Sequence, residues 1–447
     1  MNNFFDIKLK EINNMAIPLV LTSISSILIG IIDQAFVAHI SVSAYAGVGF
    51  VTMIINSLVG VLGAISISFN ILGSKLKGEN DLNGLRIVYS STFILNLLIS
   101  IIIVILINVF MESILSKGFA LTGDTLLEAE KYLEIYSLSI ILNMLIFVFS
   151  AIFKIFRKTS HIFLVTLIVN LLNVVLDYIM IFGKFGFPSL GSQGAAIASI
   201  IALVINLLLY FLIARKFIHM KFQFKSVLKD ISQVFKKALP FIGQECIEEM
   251  VFVVGISAVI ARLGELELAT YNLLFMIINI LLMPMFAYQQ ANMSIISEEY
   301  GKKEYNSIAR TSKKIVQILL VIFVVLFIVI LSFKAYFIKL ITPDANLINS
   351  SNKYLWIAIL IQAFNYIKTI YRSSCQSLGI SKFVFKITSI TNIITLLFVI
   401  LFVKNLYTLF ILMGLSHLVS AYIFICKFKA NIKRMGGADD FLDYLSS

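Results

Sequence analysis

Charge is scarce in this 447-residue chain: Asp, Glu, Lys and Arg together make up 13%, against 60% hydrophobic residues and a mean hydropathy of +0.97. A soluble domain carries about twice that share of charge, so a water-exposed globule is excluded. Cysteine is nearly absent too. Cys246, Cys375 and Cys426 stand alone, each in or beside an apolar run, with no CxxC or Cys/His spacing, which excludes a disulfide framework and a zinc site and leaves them as small hydrophobes. The four histidines, His39, His161, His219 and His417, are scattered, so no metal site is expected from them. There is no phosphate-binding glycine loop and no nucleophile constellation, and nothing points to an enzyme or a cofactor. Strict apolar/polar alternation of the β-barrel kind is also missing.

What fills the chain instead is a succession of apolar runs about 20 residues long, the length that crosses a bilayer as a helix. Twelve spans are expected: roughly 13–37, 47–72, 87–110, 131–153, 161–182, 192–214, 238–261, 269–296, 315–333, 353–374, 383–403 and 406–426. The first run is long and lacks a small-residue cleavage site, so it reads as a retained span. The net charge of +12 is unevenly placed. With a cytoplasmic N-terminus, 28 of the 36 Lys and Arg fall in inner segments, and Lys117, Lys131, Lys184, Arg262, Lys334, Lys339, Lys353 and Lys404 fall outside. That bias is the positive-inside rule; it puts both termini in the cytoplasm and assigns the basic charge to topology and anionic lipid, with no nucleic-acid partner.

The chain also repeats itself. Met-Ile-Ile-Asn occurs at 53–56 and at 276–279, a shift of 223 that also carries Gly78 of "KGENDLN" onto Gly301 of "YGKKEYN" and "AHIS" (38–41) onto "ARLG" (261–264). A shift of 222 carries Pro18 onto Pro240 and Lys-Tyr-Leu at 131–133 onto 353–355. An all-α membrane protein follows, of twelve transmembrane helices in two six-helix lobes related by a pseudo-twofold along the membrane normal: an N-lobe at 1–214, a basic cytoplasmic linker at 215–237 lying on the inner leaflet, and a C-lobe at 238–447. A cleft between such lobes is a usual transport pathway.

Five carboxylates lie inside expected spans, where each is costly and therefore a functional candidate: Asp33, Asp177, Glu245, Glu248 and Glu249. Asn170, Asn173 and Asp177 fall at i, i+3 and i+7 on one helix face. Asp33, Asn173 and Asp177 can close on one cavity in the outer half of the first lobe. Two carboxylates held together repel, so such a pair suits a proton, and with the Asn173 carbonyl it also offers the hard oxygens that Na⁺ prefers; the alternative is that both acids only hydrogen-bond neighbouring helices. Gln244, Glu245, Glu248 and Glu249 form an acidic stretch in the second lobe that would attract a cationic substrate or the coupling ion. Thirty-eight Phe and fourteen Met supply aromatic and soft surface for a flat lipophilic cation. Pro18 and Pro284 sit inside spans 1 and 8, and Gly30 lies three residues before Asp33, so span 1 has the means to bend near its acid.

Four segments, "PLVLTSISSILIGIIDQAFVAHI" (18–40), "NLLNVVLDYIMIFG" (170–183), "GFPSLGSQGAAIAS" (186–199) and "MPMFAYQQANMSIISEEYG" (283–301), resemble the multidrug and toxic compound extrusion (MATE) transporters. The resemblance implies an alternating-access antiporter of the plasma membrane that expels lipophilic organic cations, drugs and dyes, in exchange for Na⁺ or H⁺, working as a monomer and contributing to antibiotic resistance. It further implies that Asp33, Asn173, Asp177 and Ser199 hold the coupling ion, and that Glu249 corresponds to a span-7 glutamate of some branches. Span 10 (354–374) lacks the acid that one branch has there, which places coupling with Asp33 and Asp177. The competing expectation is a flippase or exporter of a lipid-linked or other amphipathic substrate in the same broad fold group. A channel or a sensory membrane protein fits less well, since the chain has no extramembrane domain for an output.

Overall fold

Apolar runs with the 3.6-residue period and almost no backbone-breaking residues can satisfy their peptide groups in lipid only as helices, and helices are what form. A computed structural model of the protein describes residues 2–217 and 224–436. In chain order the helices are α1 (Asn2–Ala38), α2 (Val42–Gly78), α3 (Leu82–Val109), α4 (Gly123–Tyr136), α5 (Ser139–Ile155), α6 (Thr159–Phe182), α7 (Gly191–Ala214), α8 (Phe224–Glu245), α9 (Val254–Ala261), α10 (Glu265–Gly301), α11 (Tyr305–Ser332), α12 (Lys334–Ile341), α13 (Ala345–Leu360), α14 (Gln362–Ser377), α15 (Ser381–Phe402) and α16 (Leu406–Arg434). π-Helical turns occupy Ser113–Gly118 and Cys246–Val253. Part of the expected 215–237 linker, residues 218–223 with His219, lies outside the described residues, as does the tail after 436.

Among the described residues nine helices are long and apolar enough to cross a bilayer, and α4 with α5, meeting at a 43° bend, makes a tenth. The other two expected spans are present in pieces. One is the end of α8, the π turn and α9; the other is α13 and α14, which part at Ile361. Each piece is shorter than the roughly 20 residues a straight crossing needs, and α14 is unusually polar, with Gln362, Asn365, Lys368, Arg372 and Gln376. Joining the pieces gives twelve passes, with the eight-residue α12 left over.

The sequence repeat is visible in the helix bounds. α2 and α10 are both 37 residues long and α3 and α11 both 28, each pair offset by 223. The break between α4 and α5 recurs between α13 and α14. Large apolar side chains face outward in matched stripes, Ile102, Ile105 and Leu106 on α3 and Val325, Ile328 and Val329 on α11. In water such stripes would be a liability; against lipid tails they cost nothing.

The chain forms two compact units. One comprises 18–73 and 81–242; the other comprises 1–17, 74–80 and 243–447. In the first, Val48, Ile55, Ile65, Leu133 and Met144 build the core, and Val234 and Ala238 of α8 join it. Buried Asn96 ties three helices there, donating to Ser66 Oγ at 3.1 Å and to the Met144 carbonyl at 3.1 Å. The second has its own core around Leu281, Tyr288, Leu319, Tyr366 and Phe410, joined by Ile12 and Met15 of α1. Its buried Asn292 ties α10 to α14, donating to Ser373 Oγ at 2.8 Å and Ser374 Oγ at 3.0 Å. Without a hydrophobic force between helices in lipid, such hydrogen bonds and close packing carry the association.

Candidate functional site

The position of Asp177 is set by how α6 ends. Gly183 takes φ +65°, the left-handed cap, and the chain turns back so that Ser189 Oγ donates to the Ile181 carbonyl at 2.9 Å and the Leu190 amide to that of Met180 at 3.0 Å. Gly194 then lets α7 touch α6: a Cβ there would lie 2.6 Å from the Met180 carbonyl oxygen. α1 reaches α6 through Phe36, whose ring centroid is 6.3 Å from that of Tyr178 and 5.9 Å, edge-on, from that of Phe182. Asp33 precedes Phe36 by one turn and Asp177 precedes Tyr178 by one residue, so this aromatic contact turns the two carboxyls toward each other.

They lie within hydrogen-bonding reach of one another. Asn173 Nδ2 donates to Asp177 Oδ2 at 2.9 Å. Asp177 is 2% exposed and Asp33 half-buried, and one oxygen of each, Oδ1, is buried without a hydrogen-bond partner. Neither has an ion-pair partner among the described residues. Buried charge normally brings a partner; among the described residues none of the groups bonded to these two acids is basic. Asn173 spends its amide nitrogen on Asp177, which frees its carbonyl oxygen, and two orphaned carboxylate oxygens complete a hard donor set that fits a proton or Na⁺. Ser199 is half-buried on α7 and makes no hydrogen bond to this group.

Two neighbours of the site are not among the candidates that the sequence offers. Tyr132 and Tyr136 of α4 stack at 4.7 Å with a 28° interplanar angle, and both phenols lie within electrostatic range of Asp33 and Asp177. The signal was available in "KYLEIYSLS" (131–139), where tyrosines at i and i+4 precede the helix break.

The acidic stretch after Pro240 is arranged differently from the expected single patch. Glu248 Oε1 accepts from Arg372 Nη1 of α14 at 2.5 Å, Gln244 Oε1 accepts from Gln376 Nε2 at 3.0 Å, and Gln244 Nε2 faces Glu248 Oε2 at 3.5 Å. One turn earlier on α14, Lys368 Nζ stands 3.2 Å from His417 Nδ1. Glu245 is half-buried and Glu249 exposed. The π turn at Cys246–Val253 begins directly after Glu245, and its wider pitch rotates Glu248 relative to Glu245 from where an α-helix would put it. The rest comes from α14. Lys368 and Arg372, which belong to the inner set in the charge bias, are helical residues of α14, and Arg372 is buried against Glu248. Among the described residues no group of three or more His, Cys, Asp and Glu side chains could hold a metal ion.

Comparison with known proteins gives one direction. The MatE family model matches twice, over 18–179 and 240–401, the same 222-residue offset that the sequence repeat shows. A probable multidrug resistance protein NorM of Thermotoga maritima is 25% identical over 383 residues, covering 83% of this chain and 80% of the relative. An uncharacterized transporter, YisQ, of Bacillus subtilis is 24% identical over 78% of each chain. Among solved structures, the outward-facing conformation of a multidrug resistance MATE family transporter of the MOP superfamily has the same fold, with TM-score 0.87 and 17% identity over 96% of this chain and 97% of that one. With both halves of the repeat matching one family model, the chain belongs to the MatE family of membrane transporters.

Proposed function

We propose that the protein is a multidrug exporter that exchanges organic cations for Na⁺ or H⁺ by alternating access across the plasma membrane, with both termini in the cytoplasm and the monomer as the working unit. The observation that carries this reading is the Asp33–Asn173–Asp177 group: two acids turned toward each other, with orphaned buried oxygens and no basic partner among the described residues. Such a group changes its charge by one or two units when an ion enters, and that change is what couples ion to drug. In the proposed cycle an ion from outside neutralises Asp33 and Asp177, the counter-charge that holds a cationic drug is lost, and the drug leaves. After reorientation the ion departs inward and the restored negative charge attracts the next cation. Differential affinity of the two states for ion and drug drives the exchange. Ser199 is proposed as a further oxygen to the ion in a state where α7 closes on the site. Gln244, Glu245, Glu248 and Glu249 are proposed to contact substrate, Glu249 as the carboxylate left exposed and Glu248 only where Arg372 releases it.

One observation favours the second reading, export of a lipid-linked or other amphipathic substrate. Arg372 and Lys368 place positive charge in the interior of the second unit, where an anionic headgroup would need it. The same experiment separates the two readings. Purified protein in liposomes is given a fluorescent lipophilic cation under separately imposed Na⁺ and H⁺ gradients, and gradient-driven movement that vanishes in Asp33→Asn with Asp177→Asn supports the exporter. Wild-type protein that moves no cation under either gradient removes it and leaves the amphipathic substrate to be tested.

A further inference from the structure

The repeat that pairs "SKLKGE" (74–79) with "SEEYGK" (297–302) brings its own two copies into contact. Gly78 ends α2 and Gly301 ends α10. A Cβ on Gly78 would land on the Glu298 carbonyl oxygen and 3.1 Å from Gly301 Cα; a Cβ on Gly301 would land on the Lys75 carbonyl oxygen and 3.0 Å from the Glu79 amide. Each glycine thus accommodates the carbonyl three residues before the other, a reciprocal backbone contact that any side chain would block. Ser74 and Ser297, repeat mates as well, are fully buried beside it.

Around this crossing the two copies have exchanged charge. Lys75 corresponds to Glu298 and Glu79 to Lys302. A contact between identical sequences would set like charges together; after the exchange they attract. Lys77 Nζ lies 3.0 Å from Glu298 Oε2, Lys302 Nζ 2.7 Å from Glu298 Oε1, and Lys75 Nζ 5.2 Å above the Tyr300 ring. Next along α10, Glu299 is 2% exposed, is paired with Lys8 of α1, and accepts from Ser307 Oγ at 3.1 Å and Thr311 Oγ1 at 3.1 Å. Asn13 Oδ1 of α1 accepts from Tyr288 of α10 at 2.8 Å. All of these residues lie in one compact unit, while α1 from Pro18 onward and α2 up to Gly73 belong to the other.

Two helices of the first repeat are therefore tied by their ends to α10 of the second. The fully partnered Glu299 would be a buried, uncompensated charge if Lys8 left without water replacing it. We infer that this clasp, the Gly78–Gly301 crossing with the Lys77–Glu298 and Lys8–Glu299 pairs, is the latch that shuts the membrane face bearing the N-terminus, and that it parts when the transporter opens to that side. The inference rests on the alternating-access reading, and the experiment separates the two.

Lys77→Cys and Glu298→Cys are combined with Cys246, Cys375 and Cys426 replaced by Ser, and the pair is joined by a short bis-methanethiosulfonate reagent in proteoliposomes. Joining should reduce cation transport to the level of empty liposomes, and reductant should restore it, with neither single-cysteine protein affected. Linked protein that transports at the unlinked rate overturns the latch. If unlinked and wild-type protein both transport nothing, the exporter reading fails instead, and the latch is decided by labelling. Ser297→Cys, an isosteric and otherwise buried reporter, should react with maleimide faster in Lys8→Ala with Lys77→Ala than with both lysines present. An unchanged labelling rate overturns the latch.

Discussion

The two polar interiors occupy the same duplicated scaffold and solve the burial of acid in opposite ways. In the first unit Asp33 and Asp177 face each other with no base among the described residues; in the second Glu248 is closed by Arg372, and Gln244 by Gln376. Across the 222-residue offset the equivalents are unlike in every case: Gly255 for Asp33, Val399 for Asp177, Ser26 for Glu248 and Ser150 for Arg372. Duplication supplied helix lengths and breaks, and the chemistry arose separately in each copy. An unpaired acid pair can take up and release a cation. A closed ion pair holds a helix in place, and opens to a ligand only if something breaks it.

The largest effect should come from abolishing the difference on the first side. Asp177→Asn removes the deeper acid while keeping its shape and its neighbour Asn173, and gradient-driven cation transport should fall to background with the protein still inserted and folded. Retained coupling under either gradient would move the ion site to the second unit. On the other side, Arg372→Met leaves Glu248 without its base, and breaking one partner of a buried pair costs about 3 kcal/mol or more, lessened here because Glu248 keeps some solvent access. Thermal unfolding in detergent should show the loss, and Glu248→Gln added to Arg372→Met should recover most of it. If the double variant is no more stable than Arg372→Met, the pair is not what holds α14 to the π turn.

A smaller effect tests how the first site is positioned. Gly194→Ala puts a methyl group against the Met180 carbonyl, and overpacking of this kind costs about 1–3 kcal/mol. Because the strain falls on α6 one turn beyond Asp177, the ion concentration for half-maximal transport should rise along with the loss of stability. A drop in stability with unchanged ion dependence would mean that α6 transmits nothing to the acids.

The sequence made the scaffold legible because lipid leaves so few options. Runs of 20 apolar residues can only be helices, and a repeat read from Met-Ile-Ile-Asn and Gly78/Gly301 returned as helices of equal length. Asp33, Asn173 and Asp177 were legible for a related reason, as carboxylates stand out in an apolar run. What stayed hidden was anything that depends on a partner from far along the chain. Arg372 looked like a loop charge because charge near the end of a span is ambiguous until α14 is seen to break from α13 at Ile361. Tyr132 and Tyr136 were invisible as site neighbours, since an aromatic in a membrane helix is unremarkable without knowledge of what it faces.

Ser199 gives the finest test of the comparison, because it is the one expected oxygen that the first site does not gather. It is a half-buried hydroxyl on α7 with no hydrogen bond to Asp33, Asn173 or Asp177. Ser199→Ala should therefore leave stability within about 0.5 kcal/mol, as expected of a substitution that breaks no buried network. Its effect on ion dependence then discriminates between conformations. Transport with an unchanged requirement for Na⁺ or H⁺ would confine the ion to α1 and α6. A weakened requirement would mean that α7 closes on the acids in another state of the cycle, and that the serine acts there.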